Sequence, residues 1–180
     1  MATLEEIHHF NSALSPADLV AALSEKTEPT SWPPPLILKL SGGGIVSRVM
    51  QSPDTQQPFF GVVSPDRIRV AVSTWNQQVT SFQPILLLTV TDSGAGGSAV
   101  EVKLRPHREA SSFAGLFAGV GALVIVAAIP AALGGEPAAL AGMVVGALGL
   151  VFPTFRAKAC FESDRDQALA ALRAALPLEG

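Results

Sequence analysis

The sequence predicts an α+β protein: a small antiparallel β-domain, interrupted by a two-helix transmembrane hairpin and completed by a C-terminal amphipathic helix. Three observations predict this fold class. Charged residues make up 15% of the chain, against about 25% in a typical soluble domain. The deficit is concentrated in residues 112–155, where Glu136 is the only charged side chain. Polar and apolar residues alternate before this segment, and leucines recur at helical spacing after it.

The N-terminal segment, residues 1–31, carries the entry signals of a short helix. Ser15 suits the N-cap, Pro16 suits the first helical position, and Leu14 and Leu19 are spaced to form a hydrophobic staple. Pro29 ends any extension of this helix. The segment is therefore a helix followed by a linker.

Residues 32–108 predict a β-rich domain. Period-two alternation is clearest in residues 67–72 and 100–105, where one face meets a core and the other meets water. Residues 92–98 are rich in glycine and serine and predict a hairpin loop, so antiparallel pairing is expected. The candidate strands are residues 36–40, 45–50, 59–63, 67–73, 85–91 and 99–104.

Residues 113–155 predict a transmembrane hairpin. Residues 113–133 and 138–155 are two uncharged apolar runs, joined by Gly134, Gly135, Glu136 and Pro137. About 20 apolar residues cross the hydrocarbon core of a bilayer, and the second run is near the lower limit. The alternative is a buried hairpin of a soluble protein, which would normally show a polar face that neither run has.

Cations flanking the hairpin predict its orientation. Lys and Arg lie before the first run and after the second, and the connecting loop has none. The positive-inside rule then places both termini in the cytoplasm and the protein in the inner membrane as a multi-pass protein. Four of these cations are expected at the inner leaflet, where they either hold anionic lipid headgroups or only set the topology: Arg105, Arg108, Arg156 and Lys158.

Glycines in the two apolar runs predict close helix packing. Folding the hairpin about its loop brings Ile129 near Gly142 and Ile125 near Gly146. Small residues let helix backbones approach closely, either within one chain or, as the alternative, across a dimer seam. The predicted packing residues are Gly115, Gly119, Gly142, Gly146 and Gly149.

The C-terminal segment, residues 156–180, predicts a last strand and a final helix. Residues 158–161 are the candidate strand. Ser163 is the candidate N-cap, with Asp164 and Asp166 in the first helical turn. Leu169, Leu172 and Leu176 form an apolar stripe that needs cover, so this helix is expected to pack on the sheet.

The sequence motifs predict no catalytic, cofactor-binding or metal-binding residue. His8 and His9 are adjacent, so their side chains diverge and cannot form a metal pair; both are interpreted as belonging to a solvent-facing terminus. Residues 41–44 are glycine-rich but lack the ending of a phosphate-binding loop. Cys160 is the only cysteine, interpreted as a buried small side chain or, alternatively, a palmitoylation site. His107 is interpreted as facing lipid headgroups.

The element order resembles a loose group of uncharacterised bacterial membrane proteins. The residues that carry the resemblance are Pro58-Phe59-Phe60-Gly61, Ser81-Phe82-Gln83-Pro84, residues 100–107, and Phe161-Glu162 before an amphipathic helix. Members of the group have a small cytoplasmic β-domain, somewhat like a pleckstrin-homology roll, interrupted by two membrane helices. The resemblance implies a fold and no activity.

These observations predict a non-enzymatic, membrane-anchored cytoplasmic interaction or regulatory module. Its expected partners are membrane lipid and a protein at the cytoplasmic face. The net charge of −3 gives no sign of nucleic-acid binding. The alternative is a small accessory subunit of a larger membrane protein complex. The sequence leaves the oligomeric state, the ligand and the pathway open.

Overall fold

The protein is an α+β structure, as predicted. The computed structural model describes residues 5–33, 36–40, 46–50, 53, 55–73, 84–94, 96–106 and 108–179. The elements in chain order are β1 (Glu6–Ser12), α1 (Pro16–Glu25), β2 (Thr27–Pro29), β3 (Leu36–Leu40), β4 (Val46–Met50), β5 (Phe59–Ser64), β6 (Arg67–Val72), β7 (Pro84–Asp92), β8 (Ser98–Pro106), α2 (Arg108–Leu133) and α3 (Pro137–Ala175).

The chain divides into two compact units. The sheet unit comprises Met1–His107 and Phe161–Gly180, and the hairpin unit comprises Arg108–Cys160. The helix α3 contributes its first part to the hairpin unit and its last part to the sheet unit. The sheet unit is therefore assembled from two segments separated by more than fifty residues of sequence.

Six strands form the main sheet, in the order β1-β8-β7-β6-β5-β2. Four of the five strand pairs are antiparallel, whereas β2 runs parallel to β5. The expectation of a wholly antiparallel sheet is thus wrong at this one edge. There Phe59 N donates to Lys26 O at 3.2 Å and Thr30 N donates to Gly61 O at 3.0 Å. The strands β3 and β4 form a separate antiparallel hairpin.

All six predicted β-domain strands occur within one or two residues of their expected bounds. Alternation and turn residues located them because each has one face on a core. The strands β1 and β2 were not predicted. β1 has polar residues on both faces, including adjacent histidines, and β2 is only three residues long and ends in Pro29.

The loop between β7 and β8 is a tight turn, as predicted. Gly94 N donates to Asp92 Oδ1 at 2.8 Å, and Ser93 N donates to Gly97 O at 3.2 Å. Gly94 has φ +78° and Gly96 has φ +82°, which residues with a Cβ rarely adopt. These glycines allow β8 to return beside β7.

The entry to α1 also agrees with the sequence signals. Asp18 N donates to Ser15 Oγ at 3.2 Å, while Ser15 Oγ donates to Asp18 Oδ2 at 2.6 Å. Pro16 is the first helical residue. Leu19 is fully buried and Leu14 packs against the same core. The cap and the staple therefore fix where α1 begins.

The end of α3 packs on one face of the main sheet. Phe161, Leu172 and Leu176 are almost completely buried in a core that includes residues from α1 and from β1, β5, β6, β7 and β8. The apolar stripe of Leu169, Leu172 and Leu176 therefore packs on the sheet, as predicted. The buried core residues are Phe10, Leu19, Leu23, Phe59, Ile68, Val70, Val72, Leu86, Leu88, Val100, Val102, Leu104, Phe161, Ala168, Leu169, Leu172 and Leu176.

Two predictions for this C-terminal region are wrong. Residues 158–161 are not a strand, and Ser163 does not begin a helix, because α3 runs without a break from Pro137 to Ala175. The buried positions 161, 168, 169, 172 and 176 follow one helical face. No proline or glycine lies between residues 153 and 177, so nothing in the sequence interrupts the helix.

Cationic side chains also join the end of α3 to the rest of the sheet unit. Arg165 Nη1 lies 3.1 Å from both carboxylate oxygens of Glu6 in β1, and Arg165 Nε donates to Asp166 Oδ1 at 2.8 Å. The hydrogen bond from Arg165 lowers the pKa of Asp166. Hydrogen bonds to Asp166 and Glu6 raise the pKa of Arg165. Asp166 is thus bound to Arg165 and does not serve as the predicted helix-start residue.

Two further cationic contacts involve the same end of α3, one from Lys26 outside the helix and one from its own Arg173. Lys26 Nζ donates to Ala175 O at 2.6 Å, where the last carbonyls of a helix lack partners within it. The Arg173 guanidinium lies 5.2 Å from the centroid of the Phe10 ring, within the range of a cation–π interaction. These contacts position α3 against both α1 and β1.

In the hairpin unit, α2 and α3 are joined by the predicted turn. Gly135 N donates to Ala132 O and Glu136 N donates to Ala131 O, both at 3.1 Å. Gly135 has φ +81°, the left-handed conformation that commonly ends a helix. Pro137 then starts α3 at a position where its missing N–H costs nothing.

The membrane predictions are overturned. Across the described residues, neither helix of this unit combines the length and apolarity that a bilayer crossing demands. About 20 consecutive, predominantly apolar residues are needed for that crossing. The prediction of a transmembrane hairpin at residues 113–155 is therefore not supported. The predicted inner-membrane localisation, with both termini in the cytoplasm, is wrong.

Candidate functional site

The strand β1 forms one edge of the main sheet. It pairs with β8 on one side, and the other side meets the C-terminal segment at a single position. There Asn11 N donates to Glu179 O and Glu179 N donates to Asn11 O, both at 2.8 Å. The backbone of Asn11 therefore points away from β8.

The direction in which the backbone groups of Asn11 point determines the direction of those of Ile7 and His9 in the same strand. In an antiparallel pair, alternate residues exchange hydrogen bonds with the partner strand, and the residues between them point the opposite way. The backbone groups of Ile7 and His9 thus point away from β8, like those of Asn11. No described residue pairs with them. Their two N–H and two C=O groups form an open segment of sheet edge.

A shallow groove of about 240 Å³ lies beside this edge. Its side chains come from the sheet face opposite the main core, because His9 and Asn11 are exposed whereas Phe10 between them is buried. Glu101 of β8 lies opposite both His9 and Thr89, and Ala99 lies opposite both Asn11 and Thr91. The residues that line the groove are His9, Phe10, Asn11, Thr89, Thr91, Ala99, Val100 and Glu101.

Residue size determines where the groove is deepest, and Glu101 determines its charge. Ala99 is smaller than the threonine and asparagine on either side of it, so the surface dips there. Glu101 is exposed and forms no ion pair with any described residue. Lys103, the next residue on the same face of β8, is paired with Glu5. The groove therefore contains an unneutralised carboxylate beside an open strand edge.

The glycines predicted to pack the helices divide into two groups. A Cβ on Gly146 would lie 2.6 Å from Ile125 Cγ1, and one on Gly142 would lie 3.6 Å from Ala128 Cβ rather than near Ile129. Gly149 faces the Gly121 backbone, where a Cβ would lie 3.4 Å from Gly121 Cα. In contrast, no described atom lies within 4 Å of a Cβ built on Gly115 or Gly119.

Gly121 is the packing residue that sequence reasoning missed. A Cβ there would lie 2.7 Å from Gly146 O and 3.0 Å from Leu150 N, both backbone atoms that cannot rotate away. Gly121 falls two residues after Gly119, outside the spacing of four that selected Gly115 with Gly119 and Gly142 with Gly146. The helices therefore approach most closely at a position that a G-x-x-x-G search does not find.

We expect Gly121→Ala to destabilise the helical hairpin by about 1–3 kcal/mol, because the added methyl group overlaps the α3 backbone. Gly119→Ala is the matched control. It adds the same methyl group in open space and gains up to about 1 kcal/mol of helix propensity. Thermal unfolding of both variants, followed by helical circular dichroism, checks this. Equal stability of the two variants would contradict close packing at Gly121.

The four predicted headgroup residues lie on different elements. Arg105 is exposed and lies one residue before the end of β8, Arg108 begins α2, and Arg156 and Lys158 lie in α3. The side chains of Arg108 and Arg156 are outside the described part of the structure, and Lys158 is exposed. Their headgroup role required the membrane localisation that is now overturned, so it is not carried forward.

The other residues singled out in the sequence have these positions. His8 and His9 lie on opposite faces of β1 rather than in a free terminus. His8 Nε2 is 3.5 Å from Glu6 Oε2, and its ring stacks 6.4 Å from that of Phe10. Cys160 is a half-buried free thiol. Residues 41–44 and His107 fall outside the described residues, among which no cluster of metal-binding side chains occurs.

The groove residues were not predicted as a site. His9, Asn11 and Glu101 are unremarkable in sequence and come together only through the pairing of β1 with β8. The usable signal was the alternation of Glu6, His8, Phe10 and Ser12 with Ile7, His9 and Asn11. That alternation is weak because both sets contain polar residues, and it carries no information on the place of β1 at the sheet edge.

Comparison with known proteins provides no relative for this chain. No protein-family model matches it, and searches of curated proteins and of solved structures give no match either. The resemblance to bacterial two-helix proteins therefore stays a prediction.

Proposed function

We propose that this protein is a non-enzymatic interaction module that binds an extended segment of a partner protein by strand addition to β1. The observation that carries the proposal is the open edge at Ile7 and His9, next to the groove. Strand addition uses main-chain hydrogen bonds for affinity and adjacent pockets for specificity. Both elements are present at this edge of the sheet.

The C-terminal segment already uses this edge in the proposed way. Glu179 pairs with Asn11 through two backbone hydrogen bonds in antiparallel orientation. The neighbouring residues Ile7 and His9 present the same groups in the same direction. An added strand would therefore continue a pairing that the chain itself begins.

Backbone hydrogen bonds alone are too weak to hold a partner segment at this edge, so contacts in the groove are needed as well. Four backbone hydrogen bonds at about 0.5–1.5 kcal/mol each give roughly 2–6 kcal/mol. Ordering each partner residue costs about 1–2 kcal/mol, so these bonds alone cannot hold a flexible segment. Side-chain contacts in the groove must supply the remainder. Binding should consequently be selective for sequence rather than general to any extended chain.

The lining of the groove favours binding over catalysis. Its hydroxyl groups belong to Thr89 and Thr91, and among the described hydrogen bonds none joins either hydroxyl to His9 or Glu101, the arrangement that would activate a nucleophile. Thr91 Oγ1 is 3.4 Å from Ala99 O, at the limit of a hydrogen bond. His9 and Glu101 are the ionisable groups of this lining, and both are exposed to water. These features support recognition of a peptide surface.

His9→Pro should weaken partner binding while leaving the fold intact. Proline removes the outward N–H of His9, and the ladder to β8 does not use that N–H. His9→Ala is the matched control, since it removes the side chain but keeps the backbone donor. Decapeptides selected from a displayed library against the full chain serve as probes, and fluorescence anisotropy measures their affinity.

We expect at least a roughly ten-fold loss for His9→Pro, equivalent to about 1.4 kcal/mol, and a smaller loss for His9→Ala. Circular dichroism and the melting temperature of both variants check that the sheet is unchanged. Selected peptides that bind His9→Pro as tightly as the unmodified chain would show that strand addition at β1 is wrong.

The second candidate function is a subunit of a larger protein assembly, and exposed apolar side chains of the hairpin unit favour it. Contiguous apolar patches beyond a few hundred Å² usually mark an interaction surface. In this reading, apolar helices of a partner subunit cover the hairpin. The large exposed side chains are Leu116, Val120, Leu123, Val124, Val126, Ile129, Leu133, Leu140, Val144, Val145, Leu148, Val151 and Phe155.

Under this second reading, the chain purified from its own cells should migrate well above its mass of 18.6 kDa and contain a second protein in fixed ratio. The double variant Leu123→Ser and Leu148→Ser should release it, because both exposed leucines become polar. Ser24→Ala, an exposed change in α1, is the control. A monomeric unmodified chain, or one that forms only multiples of itself, would contradict this function.

A further inference from the structure

We infer that the edge groove selects a partner segment in which a lysine or arginine lies two residues from an apolar residue. This inference rests on the proposed strand addition and specifies the class of peptide. It follows from the side chains that β1 and β8 present on the groove face. Ile7 and His9 mark the two positions where an added strand meets β1.

The register decides which partner side chains face the groove. Residues directly opposite each other in a sheet point to the same face, and residues two apart in one strand share a face. Partner residues opposite Ile7 and His9 therefore both point to the groove face. The residue between them points to the opposite face.

The position opposite His9 is suited to a cation. Glu101 is the next residue across the sheet from His9, on the same face, and has no ion-pair partner among the described residues. Adjacent strands lie about 4.8 Å apart, so Glu101 is roughly two strand spacings from the partner residue. Lysine and arginine have long apolar stems that can cross this distance with the charge at the far end.

The position opposite Ile7 is suited to an apolar side chain. Ile7 is 52% exposed, unusually high for isoleucine in a strand. Its neighbour across the sheet is Lys103, whose ammonium group is already paired with Glu5, so this position offers a partner cation no free carboxylate. The two positions therefore differ in charge preference, and together they define an apolar–any–basic pattern.

A second copy of this chain fits the edge less well. Antiparallel self-pairing of β1 would place Ile7 opposite His9 of the other copy. The sequence of β1, Glu-Ile-His-His-Phe-Asn-Ser, contains no lysine or arginine. Glu101 would then remain without a cationic partner. Charge complementarity thus favours a peptide of different sequence, and self-association becomes an outcome that the test must detect.

Two decapeptides of alternating valine and threonine test the inference. They differ only at one central valine, which is replaced by lysine in one and by glutamate in the other. At low salt the full chain should bind the lysine peptide about five-fold more tightly, the effect of an exposed ion pair. This preference should shrink at high salt, because exposed charges are screened.

Charge reversal at Glu101 provides the decisive comparison. Glu101→Lys should invert the preference between the two peptides, and Glu101→Gln should remove it. Glu25→Lys changes the net charge equally from an exposed position in α1, which packs on the other sheet face, and should leave the preference unchanged.

The outcomes distinguish a failure of the predicted basic preference from a failure of the proposed strand addition. If both peptides bind equally in every Glu101 variant and His9→Pro weakens their binding at least about ten-fold, strand addition stands and the basic preference is wrong. If neither peptide binds and library selection also gives no His9-dependent peptide, both fail. A dimer that His9→Pro dissolves, with no peptide binding, would assign the edge to a second copy and overturn the inference.

Discussion

The burial of the last part of α3, together with Leu176 directly after it, against the main sheet is the interaction on which the rest of the sheet unit depends. Phe161, Leu172 and Leu176 lose almost all contact with water there. Full burial of such a side chain contributes roughly 1.5–3 kcal/mol. The combined contribution of three such side chains is comparable to the free energy of unfolding of a typical domain, about 5–15 kcal/mol. The sheet therefore needs a segment that arrives only after the hairpin unit.

The same interaction prepares the proposed binding edge. Phe10 of β1 is buried in the core that α3 covers, and Arg165 of α3 holds Glu6 of β1. Because these core-facing residues are fixed by α3, the residues that alternate with them along β1 face the other way. Ile7 and His9 have backbone groups that point away from β8 and side chains on the sheet face that carries the groove. One face of β1 thus packs against α3, while the outer edge of the same strand stays open.

Sequence reasoning succeeded where one local pattern determined the structure. Period-two alternation located β6 and β8, and the Ser15 cap with Pro16 located the start of α1. It failed where distant residues decide the outcome. Nothing local shows that β1 pairs with β8 or that Glu101 and His9 become neighbours, so the candidate site could not be predicted.

Other failures have separate physical causes. The division of α3 into a strand and a capped helix ignored the fact that Phe161 lies on the same helical face as Leu172 and Leu176. The spacing rule for helix packing missed Gly121, where the backbones come closest. Apolar composition alone predicted membrane crossing, although no helix in the described part of the chain meets the joint requirement of length and apolarity.

The most direct test of the central claim compares two leucine-to-alanine variants by urea unfolding of the full chain. Leu172 is fully buried between α3 and the sheet, whereas Leu133 at the end of α2 is 85% exposed. Leu172→Ala should lower the free energy of unfolding by about 2–5 kcal/mol, and Leu133→Ala by less than about 0.5 kcal/mol. Equal, small losses in both variants would contradict the claim that α3 closes the core of the sheet unit.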